Sequence, residues 1–260
     1  MAYKTPLLLT CMFLVATACG GSSDSPPAPL SRHFDDMFIA QVPLDQKQSV
    51  VQAQNDYAVA KMERAKADAD LSEANATFEI AKNERKSAGN TLDSALTAKK
   101  QADESADQNR VNDAARLLRG AELAQKAADK RVKYIEAYRN WLKKHQRYTE
   151  ENMYWREAQF EKSKAEVAQR NNISPKDFTF SDYPKQEEER QKRTAKAKEA
   201  AAREREKANS ARQQWLQQQA AADEANGRAS DLPDPMAKLS GTSSLGAPAA
   251  RGRVSRTSWS

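Results

Sequence analysis

The chain is short of the residues that build compact cores and catalytic centres. Only two of its 260 residues are cysteine, and both, Cys11 and Cys19, lie near the start. A body without cysteine cannot be held by internal disulfides. Glycine occurs eight times, with Gly20, Gly21, Gly227, Gly241, Gly246 and Gly252 in the flanks and only Gly89 and Gly120 in the middle. That distribution leaves no phosphate-cradling loop. Aromatic residues make up 7% of the chain, and many of the 39% hydrophobic residues are alanine, which argues against a thick globular core. The two histidines, His33 and His145, have no second ligand at zinc spacing, and neither a GxSxG nor an HExxH pattern occurs. Catalytic machinery, metal ligands and a cofactor site are therefore not expected, and the abundant carboxylates read as a solvated helix face.

Charge and alanine are what the chain has. A 30% charged fraction and a mean hydropathy of -0.89 suit extended, surface-rich helices flanked by disordered ends. Alanine recurs every seventh residue at Ala53, Ala60, Ala67, Ala74, Ala81, Ala88, Ala95 and Ala102, the seam of a long helix with one narrow face. Val50, Tyr57, Arg64, Leu71, Phe78, Arg85, Leu92, Lys99 and Ala106 complete an a/d pattern. Within it, Val50 to Ala67 recurs as Leu71 to Ala88 in an aliphatic, aromatic, arginine order, a duplication that lengthens a rod. Leu44 to Gln48 reads as the helix start, with Asp45 as cap.

The pattern fails between Asp103 and Asn109, which places a turn at about 103–112. Gly89-Asn90-Thr91 is the competing turn, but the seam keeps its phase across it. A second apolar series then runs through Val111, Ala114, Leu118, Ala121, Val132, Ile135, Leu142, Met153, Phe160 and Val167. Folded back antiparallel, Val50 meets Val167, Tyr57 meets Phe160 and Phe78 lies near Tyr138. Residues 44–172 thus read as a helical hairpin about 90 Å long. Ser174-Pro175 ends its second arm. An aromatic loop is expected at 173–185, packed on the hairpin base, and a charged helix at 186–226, with Trp215 and Leu216 as its main anchors and Glu188–Lys192 and Glu189–Arg193 as supporting pairs. Residues 227–260, with Arg251, Arg253 and Arg256, read as a disordered basic tail. The fold class expected is all-α: a long antiparallel coiled-coil hairpin, a third charged helix and disordered termini.

The first residues carry an address. Lys4 precedes an apolar run from Thr5 to Ala18 that is too short to span a membrane comfortably. It ends Val15-Ala16-Thr17-Ala18-Cys19, which resembles the lipobox of bacterial lipoproteins, although Ala16 stands where leucine is commonest. The resemblance covers only residues 1–19. It implies a signal peptide over 1–18, cleavage before Cys19, acylation of Cys19 and attachment to a lipid bilayer, with Gly20 after the cysteine implying the outer membrane. Residues 19–43 would then be an anchored linker, flexible over Gly20 to Pro29, with a short docking segment from Leu30 to Pro43.

Two features stand out as a candidate partner surface: the seam arginines Arg64 and Arg85, and the aromatics Trp141, Tyr148 and Trp155, which belong to a crowd that includes Tyr134, Tyr138, Tyr154 and Phe160. For the arginines the plain reading is that their stems follow the interface while the heads reach acids on the other arm; for the aromatics it is helix packing. A pocket where Trp141, His145 and Trp155 meet the aromatic loop would revive an enzymatic reading. The net charge of +6 permits an anionic cell-wall polymer or another envelope protein as partner, whereas an exported chain makes nucleic acid a poor candidate. Self-association stays open, because a small-residue seam can close between two chains. The expected role is a structural spacer, tether or scaffold of the bacterial envelope; an accessory subunit of a secretion, efflux or motility assembly, docking through its hairpin, is the alternative.

Overall fold

The computed structural model describes residues 27–175 and 178–237. The expected signal peptide, Cys19 and the tail from Lys238 onward lie outside the described residues. The fold is all-α, with α1 at Asp36–Ala40, α2 at Gln48–Glu104, α3 at Gln108–Arg170 and α4 at Asp182–Asn226. No proline falls between Pro43 and Pro175, so nothing in that stretch removes a helix donor. At 1.5 Å per residue, α3 alone is about 95 Å long.

Pairing of α2 with α3 follows the alanine seam. Ala60, Ala67, Ala74 and Ala81 are buried, and their small side chains let the backbones approach. Tyr57 stacks on Phe160 with ring centroids 6.4 Å apart, Val50 and Val167 share one apolar cluster, and Phe78 packs with Tyr138 in another. This is the antiparallel register expected. The turn is short. Ser105 caps α2, Ala106 takes a left-handed φ of 53°, and the Asp107 carboxylate caps α3 by accepting from the Asn109 and Arg110 amides. Helix α2 runs unbroken through Gly89.

Three local expectations need correction. Asp45 makes no helix cap, because Leu44–Lys47 form a 3-10 turn after Pro43 and α2 begins only at Gln48. The third helix begins at Asp182, ahead of residue 186, so Tyr183 and Pro184 belong to its first turn, where proline's missing N–H is not needed. Leu216 is exposed; the helix buries Thr194, Ala201, Ala208, Trp215 and Ala222 at seven-residue spacing. This seam packs on α3. Helix α3 is therefore the middle element, packed along both α2 and α4, while α2 and α4 scarcely touch.

Each end of the described chain is strapped to this layer. At the base, Phe34, Ile39 and Val42 join Val167, Ala168 and Tyr183 in an apolar cluster, with Phe178 and Phe180 packed against it. A buried ion pair fixes the strap. Lys164 Nζ lies 2.8 Å from Glu161 Oε1 and donates to the Phe34 carbonyl at 2.9 Å, while the Phe34 amide donates to Glu161 at 2.6 Å. Arg190 donates to the Ala28 and Pro29 carbonyls. At the other end, Gly227 closes α4 in a left-handed φ of 66°, which suits glycine. Residues 228–237, expected to belong to a disordered tail, instead fold back onto the bundle.

Candidate interaction groove

Because α3 carries a neighbour on two flanks, its other two flanks form grooves. One has an aromatic floor. Tyr134, Trp141, Tyr148 and Trp155 recur at heptad spacing on α3, interleaved with Tyr138, His145 and Asn152. Helical periodicity lays these residues along a single stripe between α2 and α4. The rings form a run: Tyr134 to Tyr138 at 6.4 Å, Tyr138 to Trp141 at 5.6 Å, Trp141 to His145 at 5.8 Å and His145 to Tyr148 at 5.9 Å. Below them the groove opens. Tyr148, Asn152 and Trp155 line a hollow of about 380 Å³ with Asp56, Glu63 and Lys198. It continues toward the base as a hollow of about 330 Å³ lined by Asp56, Gln159, Lys162 and Glu187.

The walls differ in charge over part of their length, although Glu187 of α4 places an acid on the otherwise basic side and Arg156 a base beside Asp56 and Glu63. Along α2 stand Asp56, Glu63 and Asp70, and along α4 stand Lys198, Arg205 and Arg212, each set at seven-residue intervals. The acids are not equally engaged. Asp56 lies 3.9 Å from Arg156, Glu63 accepts from Asn152 at 3.5 Å, and Asp70 forms no salt bridge among the described residues. Burial lowers the pKa of His145, against the pull of Asp70 and Glu63 and with the help of Arg205 and Lys66. Burial also pushes the Tyr138 hydroxyl up to about 12, reinforced by Asp70, Glu73 and Asp234.

The candidate residues do not form one surface. Trp141 is buried beneath the Arg205 guanidinium, while Tyr148 and Trp155 are half-buried on the groove floor. The Trp155 indole donates to Glu187 at 2.6 Å. Arg64 reaches Glu150 at 3.8 Å, on the opposite flank of α3, where Glu150 joins Lys143, Arg147 and Glu204 around a hollow of about 510 Å³. Arg85 lies farther toward the tip and meets Asp129 at 3.8 Å. Both arginines end on acids of α3. The aromatic loop packs on Phe34 and Tyr183 at the base, away from Trp141, so it builds no pocket with Trp141, His145 and Trp155.

The crowd of aromatics on this arm is legible in the sequence, but the strict heptad kept by four of them, and the matching heptads of acids on α2 and bases on α4, gain meaning only when the three helices lie side by side. Both signals are visible once each helix is read for its second-best stripe as well as its core stripe. Among the described residues no group of acids, histidines or cysteines could hold a metal ion, and no helix is long and apolar enough to cross a membrane. No family model matches the chain, and no curated protein or solved structure matches it either.

Proposed function

We propose that the protein is a non-enzymatic lipoprotein of the bacterial envelope, anchored in the outer membrane through acylated Cys19 and facing the periplasm as a rigid spacer or scaffold. The observation that supports this reading is the base strap. Arg190 and the Lys164–Glu161 pair hold the chain from Ala28 onward against the bundle, so only residues 20–27 separate Cys19 from a rigid body. Eight residues span at most about 28 Å. A lipid on Cys19 would keep the base of the rod near the bilayer, while the hairpin turn at Ala106 lies about 70 Å farther along α3 from the level of Arg190. The partners in this reading are the bilayer and an envelope protein or anionic cell-wall polymer.

The test is mass spectrometry of the N-terminal peptide together with membrane fractionation. Acylated Cys19 as the first residue, and release of Cys19→Ser into the soluble fraction, are the expected results. An unmodified Cys19 in a chain that stays soluble would overturn the anchor.

A second reading, an accessory subunit that docks through its hairpin, draws on the tip. Helix α4 ends at Asn226, whose side chain donates to the Gly120 carbonyl. Beyond that level α2 and α3 continue alone to the turn for about 18 Å, with Leu96 and Leu117 exposed. Crosslinking from Leu117 to a channel-forming protein in intact cells would favour this reading over a passive spacer.

A further inference from the structure

The upper end of the aromatic groove is closed by the chain itself. After Gly227 the backbone folds back, Ser230 bonds to Gln219 and Asp223, and Asp234 takes Arg212 and the Tyr134 hydroxyl, each at 2.6 Å. Leu232 and Met236 pack into the cluster of Tyr134, Tyr138, Trp141 and Trp215, so those rings are core. Tyr148 and Trp155 differ. Both are half-buried, and both line the hollow of about 380 Å³, a volume within the range of small-ligand sites.

The charged side chains around that hollow are Asp56 and Glu63, Arg156 and Lys198, two acids against two bases. Their mutual contacts are loose. Asp56 lies 3.9 Å from Arg156, and Glu63 lies 3.5 Å from the Asn152 amide, long for direct hydrogen bonds. A strongly charged ligand of either sign therefore meets a like charge. An aliphatic one would desolvate these groups and give them no new partner. The chemistry that fits has an apolar face for the rings and a rim of uncharged groups that both donate and accept, which describes a sugar. The spacing agrees. Tyr148 and Trp155 are seven residues apart on α3, about 10.5 Å, close to the length of two β-1,4-linked pyranose rings. Toward the base the groove adds Ser49, Gln52, Gln159 and Ser163, four uncharged polar side chains for further hydroxyls.

We propose that the lower groove binds an uncharged β-1,4-linked oligosaccharide, with the C–H faces of its rings against Tyr148 and Trp155. Asp56 and Glu63 accept from its hydroxyls, Lys198 donates to them, and the Asn152 amide does both. Arg156, whose guanidinium lies over the Trp155 ring at 4.5 Å, adds planar donors at the rim. The platform is preorganised, because the Trp155 indole is held by its bond to Glu187 at 2.6 Å. The site stands on the groove alone and not on the anchor at Cys19, so the two readings fail separately.

The test titrates tetra-N-acetylchitotetraose and cellotetraose into the nitrogen-15-labelled full chain carrying Cys11→Ser and Cys19→Ser. At least one of the two sugars should give saturable shifts at the Trp155 indole N–H and at the Tyr148 and Asn152 amides, while the buried Trp215 indole stays unmoved. Tyr148→Ala should weaken that binding about tenfold, and Tyr148→Phe, which keeps the ring, should retain it. Lys198 is exposed, so Lys198→Ala leaves the fold intact and should still weaken binding several-fold. Far-ultraviolet circular dichroism and the Trp215 signal report folding of each variant. No shift with either sugar, shifts spread evenly over the surface, or unchanged affinity in both Tyr148→Ala and Lys198→Ala overturns the proposal. Tighter binding of tetragalacturonate at the same signals also overturns it, because the groove would then prefer a charged chain.

Discussion

The Tyr134 hydroxyl donates to Asp234 at 2.6 Å across a sequence separation of one hundred residues, and the same oxygen accepts from the Met236 amide at 3.2 Å. One buried phenol thereby pins the returning segment to the middle helix. Burial, and then the Asp234 carboxylate, raise its pKa well above the ordinary tyrosine range, so the hydroxyl stays a donor at any physiological pH. Tyr134→Phe removes the donor and acceptor while keeping the ring on Trp215, which it meets at 5.3 Å. The Met236 amide retains only Asp234, and Asp234 retains Arg212. Stability should fall by about 1–3 kcal/mol. Hydrogen exchange should accelerate at residues 232–236 and stay slow in α2; unchanged exchange there would refute the pin.

The base strap makes a sharper prediction. Lys164 and Glu161 are each about 4% exposed, and each bonds the Phe34 backbone as well as the other. Lys164→Met strands a buried carboxylate, which costs about 3–5 kcal/mol where such a pair is broken from one side. Glu161→Gln keeps a carbonyl acceptor for the Phe34 amide and should cost less. Combining Lys164→Met with Glu161→Gln should be less damaging than the sum of the two, since the stranded charge is gone. Urea denaturation of the four proteins gives the coupling, and additive effects would show that the pair does not act as a unit.

The hairpin was legible because its signals are local and repeated. Eight alanines in phase, an interruption near Asp107 and a glycine after Asn226 each act through the backbone of their own helix. The docking of α4 was not legible to the same degree. Its core stripe is Thr194, Ala201, Ala208, Trp215 and Ala222, and alanine is as common on its outer face as on its inner one, so period alone does not select a side. The returning segment could not be read at all. Pro233 and Pro235 look like the residues of a loop, and what orders them is Tyr134 and Arg212, partners distant in sequence. The candidate surface suffered from the same limit, since Arg64 and Trp155 are on opposite flanks of α3 and only the three-helix layer reveals it.

The two mid-helix glycines should respond differently to alanine. At Gly89 a Cβ would meet the Gln125 Oε1 atom at 3.6 Å, an ordinary contact. Gly89→Ala therefore gains the helix propensity difference, about 0.8–1 kcal/mol, and raises the melting temperature. At Gly120 the Cβ would come within 2.5 Å of Asn226 Oδ1. The Asn226 side chain must swing away and give up its bond to the Gly120 carbonyl. Gly120→Ala should be stabilised less than Gly89→Ala and should exchange faster at residues 222–227. Equal gains at both sites would mean that Asn226 does not hold the end of α4 to α3.

His145 links stability to pH. Burial between Trp141 and Tyr148 holds its folded pKa below the ordinary value of 6.5, and Arg205 and Lys66 act in the same direction, while Asp70 and Glu63 oppose them. The unfolded chain therefore binds the proton more readily than the folded one. By linkage the neutral imidazole contributes stability that is complete above pH 6.5 and declines as the pH falls below it. Denaturation midpoints measured between pH 7.5 and 5 should drop for the wild type, and His145→Phe, which keeps an aromatic ring in the series but cannot titrate, should flatten the component of that drop due to residue 145. Asp70→Asn removes an α2 acid that favours the protonated imidazole without removing the ring. It should lower the His145 pKa further, seen as a lower midpoint for the imidazole proton shifts. An upward movement of that midpoint in Asp70→Asn would show that the α2 acids do not act on the groove floor.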